Sequence, residues 1–371
     1  MNIVYDHQIF AMQEYGGISR YYYEIANRIA AMGNEVEIFS PFYVNKYFCN
    51  DNKILPWGLK IPRLPKYIRA IPNIINQGLS HILIKPRRNV DIFHETYYSM
   101  NNCCPLFAKR VVTVHDMVHE KFTQYFPTRD KTRKHKAHAV HQADHIICVS
   151  ENTRRDLIEI SNVPKEKTSV VYHGYTLSCS KTHITPANHE KPFILYVGSR
   201  YGYKNFNLLL HAFASSKLLR NDFLIVCLGG GKASREETDL MNTLYLPSDC
   251  VKYVDGDDSV LAGLYASAKA FIYPSLYEGF GIPPLEAMAF GCPVVCANAS
   301  SIPEVVGDAA HLFDPTDASD LQDAVEKVVF SSEYSSRLRA KGYERIKLFS
   351  WDKCADDTLL VYKKILGWSN K

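Results

Sequence analysis

Two glutamates with seven residues between them, Glu278 and Glu286, frame the stretch of this chain best able to do chemistry. It reads Pro274-Ser275-Leu276-Tyr277-Glu278-Gly279-Phe280-Gly281-Ile282-Pro283-Pro284-Leu285-Glu286. The run Ala270–Tyr273 before it has the character of a strand that enters a glycine-rich loop. Pro283 and Pro284 suit the first turn of a helix, where their missing N–H does no harm. Gly291 and Pro293 then stop that helix. Free backbone N–H groups should therefore meet a helix N-terminus at the carboxyl end of a strand. Open α/β sheets bind ligands there, and the positive end of the helix suits a diphosphate. A carboxylate beside a phosphate would repel it, so Glu278 and Glu286 are expected to accept hydrogen bonds from hydroxyl groups instead. One could hold a hexose and the other a ribose. For Glu286 the plainer alternative is that it complements the helix dipole.

A second charged element, Tyr196-Val197-Gly198-Ser199-Arg200-Tyr201-Gly202-Tyr203-Lys204-Asn205, follows another strand-like run. Negative charge grows on a departing diphosphate as its bond breaks, and fixed cations stabilise that charge most in the transition state. Arg200 could fork onto phosphate oxygens and Lys204 could supply a point charge. The alternative is two solvated cations near a helix start. In the first half of the chain, Gly16 and Gly17 open a helix and would let backbone approach a ligand closely. His115 and Asp116 follow the run Val111–Val114, again at a carboxyl end. His115 could be a core histidine, a hydroxyl-positioning group or a general base. Positioning is favoured over proton transfer, because a base needs a particular geometry.

Two other patterns are set aside. Asp255-Gly256-Asp257-Asp258 contains a DxD, a spacing that can hold a metal and a nucleotide, but Asp257 better suits the N-cap of a helix near Val260. His135, His138 and His141 recur every three residues on a basic helix without an acidic or thiol partner at a ligand-like interval, which reads as a solvated face. No metal site is expected. Gly229-Gly230-Gly231 ends another strand and is expected to let the chain pass close to a nucleotide.

The elements that must position these groups alternate in type. Strand-like runs at Ile3–Tyr5, Val36–Phe39, Ile92–His94, Val111–Val114, Ile146–Val149 and Val170–Tyr172 are followed by a second set. That set comprises Ile194–Val197, Leu224–Leu228, Val251–Val254, Ala270–Tyr273 and Val294–Cys296. Helical patterns such as Ser19–Met32, Phe206–Ser216, Val260–Ser267 and Leu321–Val329 lie between them. Such alternation implies parallel sheets with helices on both faces. A chain of 371 residues suits two such domains. The unpatterned stretch Thr176–Pro192 places the boundary, giving 1–178 and 179–351, with 352–371 as a last helix that has no strand after it.

Lys53–Val90 holds eight basic residues and no acid, with Ile68, Ile71, Ile74, Ile75, Leu79, Ile82 and Leu83 interleaved at roughly helical spacing. It is either a helical excursion packed on the sheet with its charges in water, or a contact with a membrane surface or lipid acceptor. The net charge of +4 is too mild for a nucleic-acid partner and suits anionic ligands or an anionic membrane surface. No apolar run approaches the ~20 residues needed to span a bilayer. Met1–Asp6 reads as a first strand rather than a secretory signal. The ten cysteines are scattered without a CxxC and are expected to be reduced.

The stretch YEGFGIPPLEAMAFGCPVV, with Glu278-x7-Glu286 inside it, resembles the signature of family 4 retaining glycosyltransferases. Ile302–Asp308 and Phe349-Ser350-Trp351 also look like family positions, and the likeness runs along nearly the whole chain. The resemblance implies a GT-B fold, with two Rossmann-like domains facing across a cleft and the last helix crossing back onto the first domain. It implies that Glu278 contacts the transferred sugar and Glu286 the ribose, with backbone N–H groups around Phe280, Gly281 and Ile282 facing sugar and diphosphate. Arg200 and Lys204 would hold the diphosphate, although Arg200 is shifted relative to some members. The Gly16-Gly17 loop, His115 and Asp116 would lie near the reacting sugar. YDHQIF and YGGISRYYYEIA resemble bacterial surface-polysaccharide transferases. That implies a cytoplasmic enzyme, resting on the inner face of the membrane and extending a lipid-linked glycan. The nucleotide sugar, GDP-mannose as a first choice, would be a substrate and no cofactor is implied. A sugar-nucleotide epimerase of similar fold and a non-catalytic nucleotide-binding scaffold are the rival readings.

Overall fold

The computed structural model describes residues 1–48, 54–65, 70–176, 187 and 189–368. They form two units, Met1–Gly174 with Trp351–Lys371, and Tyr175–Ser350. The boundary expected at 178/179 lies outside the described residues, as do Lys53, Lys66, Ile68 and Arg69 of the basic segment.

The first unit is built on seven strands: β1 (Asn2–Tyr5), β2 (Glu35–Tyr43), β3 (Trp57–Lys60), β4 (Ile92–Glu95), β5 (Lys109–Val114), β6 (His145–Cys148) and β7 (Thr168–Val170). Their order is β3-β2-β1-β4-β5-β6-β7, and every pair is parallel. Ile3, Val4, Val111, Val112, Ile146 and Ile147 are buried, as expected of parallel strands covered on both faces. On one face the helix Gly17–Ala31 packs against the last helix, Trp351–Ile365, which crosses back as expected. Polar groups tie that layer to the sheet: the Tyr362 hydroxyl meets that of Tyr5 at 3.1 Å and Nδ1 of His94 at 2.5 Å. The Tyr22 hydroxyl donates to the carbonyl of Glu95 at 3.0 Å.

The helix Ala70–Leu83 packs beside β2 in an unusual orientation. Asn76 and Ser80 point inward, and the Asn76 amide accepts from the N–H of Phe42 at 2.8 Å and donates to its carbonyl at 2.9 Å. Ile71, Ile74, Ile75, Ile82 and Leu83 are exposed instead. The reading of this segment as a helix with its charges in water is thus corrected in one respect: much of its apolar side also faces water.

The second unit holds β8 (Phe193–Val197), β9 (Leu224–Leu228), β10 (Val251–Val254), β11 (Ala270–Tyr273), β12 (Val294–Ala297) and β13 (His311–Phe313). They run in the order β10-β9-β8-β11-β12-β13, again all parallel. In both sheets the order reverses beside the first strand, between β1 and β4 and between β8 and β11. Such a reversal leaves a crevice at the strands' carboxyl ends. β3 and β13 carry no strand signal in the sequence, because one is exposed along its length and the other is three residues long. All eight described cysteines are free thiols.

Candidate active site

The loops that leave β8 and β11 flank the crevice of the second sheet, and three contacts lock them together. The N–H of Leu276 donates to the carbonyl of Tyr203 at 2.8 Å. The Asn205 amide donates to the carbonyls of Pro274 and Pro315 at 3.1 and 2.9 Å, from a left-handed backbone (φ 60°) that asparagine tolerates well. Lys204 Nζ donates to Glu278 Oε1 at 2.7 Å. The two residues read from sequence as cation and sugar acceptor are therefore direct neighbours at the crevice. Both stay partly open to solvent.

The loop Glu278–Gly281 is held from below by a serine pair. Ser300 Oγ accepts from the N–H of Glu278 at 2.9 Å, and the Ser301 hydroxyl donates to the carbonyls of Glu278 and Phe280 at 2.9 and 3.0 Å. Phe280 is buried, with its ring edge-on to Phe349 at 5.7 Å. Gly281 is the N-cap of the helix Ile282–Ala289, at φ 99°. A Cβ there would sit 3.5 Å from the Tyr273 ring in a backbone region that disfavours side chains, so glycine is required. Pro283 and Pro284 follow Ile282 within the first turn and carry no N–H, which leaves Ile282 as the terminal donor among the helix's first three positions. The Tyr273 hydroxyl is raised well above its usual range, by burial first and then by Glu278 beside it.

Glu286 lies one turn deeper than its first-turn placement in the sequence reading. It is the fifth helical residue and is buried, with the Tyr265 hydroxyl donating to its Oε2 at 3.5 Å. The helix has no acid in its first turn, so the dipole alternative for Glu286 loses its geometric basis.

Arg200 does not join Lys204 and Glu278. Its Nε donates to Glu237 Oε1 at 2.9 Å, Nη1 to the carbonyl of Gly229 at 2.7 Å, and Nη2 to those of Gly231 and Lys232, each at 2.9 Å. Each nitrogen of the planar fork has an acceptor and the group is buried, with the Tyr253 ring 4.7 Å away. Gly229, Gly230 and Gly231 all take positive φ (87°, 73° and 71°), which turns their carbonyls onto the guanidinium. The glycine run thus holds Arg200 beside Glu237, an arrangement that the sequence reading of the two motifs did not anticipate. Glu237 was missed by the sequence reading; the signal was Ser234-x-x-Glu237, a capping box that places this acid at a helix start. Asp257, as expected, caps the helix Asp258–Ser267 by accepting from the N–H groups of Ser259 and Val260.

In the first unit, Gly16 is the N-cap of the helix Gly17–Ala31 and Gly17 its exposed first residue, with open space where a Cβ would stand. Gln13 Oε1 accepts from the N–H of Ser19, capping the same helix end. His115 is buried where β5 ends, edge-on to the rings of Tyr21 and Tyr22 and stacked on His173 at 5.7 Å. Its Nε2 finds no hydrogen-bond partner among the described residues. Burial, aided by His94 and Lys136, pushes its pKa down to about 3, so the ring is neutral at physiological pH. Asp116 instead caps the turn after β5: its Oδ1 accepts from the N–H of Val118 at 3.1 Å, and Lys136 Nζ lies 3.6 Å away. His173, just past the end of β7, joins the His115 cluster and escaped the sequence reading; Trp351, noted there only for its likeness to a family position, packs on the same cluster. The strand-end rule that flagged His115 applies equally to His173. A cavity of about 380 Å³ lies near the Gly16 loop, walled by Met12, Phe42, Val44, Ile61 and Pro72, with Arg63 at its edge.

Residues 15–178 match the profile described as Glycosyltransferase Family 4, and residues 181–345 match that of the glycosyl transferases group 1. The chain is 29% identical to the O-antigen chain mannosyltransferase B of Escherichia coli, an alignment covering 94% of this chain and 96% of that one. It is 25% identical to the MMP alpha-(1->4)-mannosyltransferase of Mycolicibacterium hassiacum, with 95% of each covered. Its fold matches that of a sucrose-phosphate synthase from Thermosynechococcus elongatus with a TM-score of 0.75 at 20% identity, over 99% of both chains. Two profiles that together run from residue 15 to 345, joined to full-length likeness to named transferases, place the chain among the group 1 glycosyltransferases of GT-B fold.

Proposed function

We propose that the enzyme moves a hexose, mannose first among the candidates, from a nucleotide diphosphate sugar to a lipid-linked or polysaccharide acceptor, with retention at the anomeric carbon and without a metal. The observation that carries this reading is the Lys204–Glu278 pair at the sheet reversal, beside the helix that Gly281 caps. A diphosphate arriving there competes for the ammonium, and the N–H of Ile282 faces it along the helix dipole. Glu278 is then free to accept from a sugar hydroxyl, and Glu286 takes the ribose. Arg200 acts as a positioning residue, because it fixes the loop that carries Lys204. The mannosyltransferase relatives favour mannose, and hence GDP-mannose, as donor.

In this mechanism the acceptor oxygen bonds to the anomeric carbon from the face that the diphosphate leaves. The bond from that carbon to the β-phosphate oxygen breaks with its electron pair, and that phosphate takes the acceptor proton. Lys204 stabilises the charge growing on the leaving group. His115, neutral and with an unpartnered nitrogen, orients a hydroxyl; its depressed basicity speaks against general-base work.

The first unit would receive the acceptor through the Gly16-Gly17 loop, with the apolar cavity near it suited to a lipid-linked substrate. The exposed isoleucine side of the helix Ala70–Leu83 supports a contact with a membrane surface, and by that reading the enzyme works in the cytoplasm at the inner face. No helix among the described residues is long and apolar enough to cross a membrane. The test is a panel of nucleotide sugars with lipid-linked and soluble glycan acceptors, in EDTA, with the anomeric configuration of the product determined. An inverted product or strict Mn²⁺ dependence overturns the mechanism. Consumption of donor without acceptor selects the epimerase, and nucleotide binding without turnover selects the scaffold.

A further inference from the structure

The amino ends of β4, β5 and β6, opposite the strand ends that hold His115, frame a recess of about 620 Å³. Lys85, Arg87, Arg88 and Arg110 line it, with Asp144 as the one acid in the wall. Asp144 is already engaged, because Oδ2 accepts from the N–H of Arg110 at 2.8 Å and Lys109 lies 3.6 Å from Oδ1. Arg87 pairs with Glu37 at 2.6 Å. Lys85 and Arg88 therefore supply the surplus positive charge at the rim.

Arg110 supplies it at the floor. Its side chain is 3% exposed, and Nη2 donates to Glu95 Oε1 at 2.6 Å. Nε and Nη1 find no partner among the described residues, and neither does Glu95 Oε2. Leaving buried donors unmatched is costly, which makes this guanidinium unusual in an otherwise well-bonded sheet. Burial pushes the Glu95 carboxyl up, against the pull of Arg110.

Beside the recess the surface is apolar. Leu106 is 85% exposed and Phe107 62%, both in the loop before β5, and the Arg88 guanidinium lies 5.8 Å from the Phe107 ring centre. Ile82 and Leu83 end the helix whose isoleucines face solvent. A small inorganic anion would use the cations and leave these groups in water. An amphiphile with an anionic head and hydrocarbon chains would use both.

We propose that this recess binds the phosphate of an anionic glycerophospholipid, with Arg110 beneath it, Lys85 and Arg88 around it, and the acyl chains against Leu106 and Phe107. The assignment rests on the membrane-surface reading above and makes that contact selective for a head group. It is tested by sedimenting the full chain with phosphatidylcholine vesicles, with and without phosphatidylglycerol. The expected result is binding that needs phosphatidylglycerol and weakens roughly thirtyfold in the K85A/R88A variant, with transfer to a soluble acceptor unchanged. The L106S/F107S variant should also lose binding while keeping its melting temperature. Equal binding to vesicles without phosphatidylglycerol, or parental binding by K85A/R88A, overturns the head-group site and leaves the surface contact standing. Failure to bind either vesicle overturns both. Raised melting temperature with inorganic phosphate or glycerol phosphate, without vesicle binding, assigns the recess to a soluble anion and overturns the lipid.

Discussion

The two sheets reverse their strand order at equivalent places and treat the resulting crevices differently. Between β8 and β11 the gap is bridged by Lys204 and Glu278, side chains 21% and 12% exposed, next to a glycine-capped helix. Between β1 and β4 it is closed by Asp6, whose carboxylate accepts from the N–H of Thr96 at 2.9 Å, its hydroxyl at 2.5 Å and the Gln8 amide at 2.6 Å. Asp6 and Thr96 are buried. Topology offers a crevice in both sheets, but the side chains decide whether it is a latch or a site. A charged pair left partly in water can exchange partners when a ligand arrives, whereas a buried carboxylate with several donors cannot do so without loss.

That contrast can be broken by substitution. The largest effect is expected from Arg200→Ala, which leaves Glu237 charged and buried. Chemical denaturation should show a loss of about 3–5 kcal/mol. A small loss would mean that Arg200 is available to substrate after all. Asp6→Ala should cost about 1–3 kcal/mol in the same measurement, as befits a latch. Lys204→Ala and Glu278→Ala should each lower turnover at least tenfold, equivalent to ~1.4 kcal/mol of barrier, with stability changed by under about 1 kcal/mol. Near-normal rates in both variants would remove the site from this crevice.

The smallest effect sharpens the comparison through pH. Burial depresses His94 and His115 to about 3 and His145 to about 4, all in the first unit, and His173 there is also well below its usual value. A histidine with a lowered native pKa stays neutral while its unfolded counterpart takes a proton. Stability is therefore full above about pH 6.5 and is lost as the pH falls from there toward the native values. Between pH 7 and 6 each group should contribute under about 1 kcal/mol. Hydrogen exchange across that interval should show the first unit loosening before the second; equal loosening would contradict the burial of these rings. The rate profile near neutrality should show no limb that disappears in His115→Gln.

Much of this was legible in the sequence. Buried parallel strands are continuous apolar runs, so β8, β9, β11 and β12 stand out, as does the glycine–proline punctuation around Gly281. The loop bearing Glu278 was found because its chemistry is local. The clamp around Arg200 was not legible, because its partners, Glu237 and the carbonyls of Gly229–Lys232, lie about thirty residues away, and no local pattern announces a long-range clamp. The helix Ala70–Leu83 was read correctly as a helix, but its period could not say which side faces the sheet. Asn76 won the inner position by satisfying both backbone groups of Phe42, which isoleucine cannot do.

The return of the last helix has a consequence for how the polypeptide is made. Tyr5 and His94 complete their hydrogen bonds only with Tyr362, and Trp351 packs against Tyr21 and His173. A ribosome delivers Tyr5 early and Tyr362 only after all of Tyr175–Ser350. The half synthesised first must therefore wait, with part of its aromatic layer uncovered, while the contiguous half behind it can mature without delay.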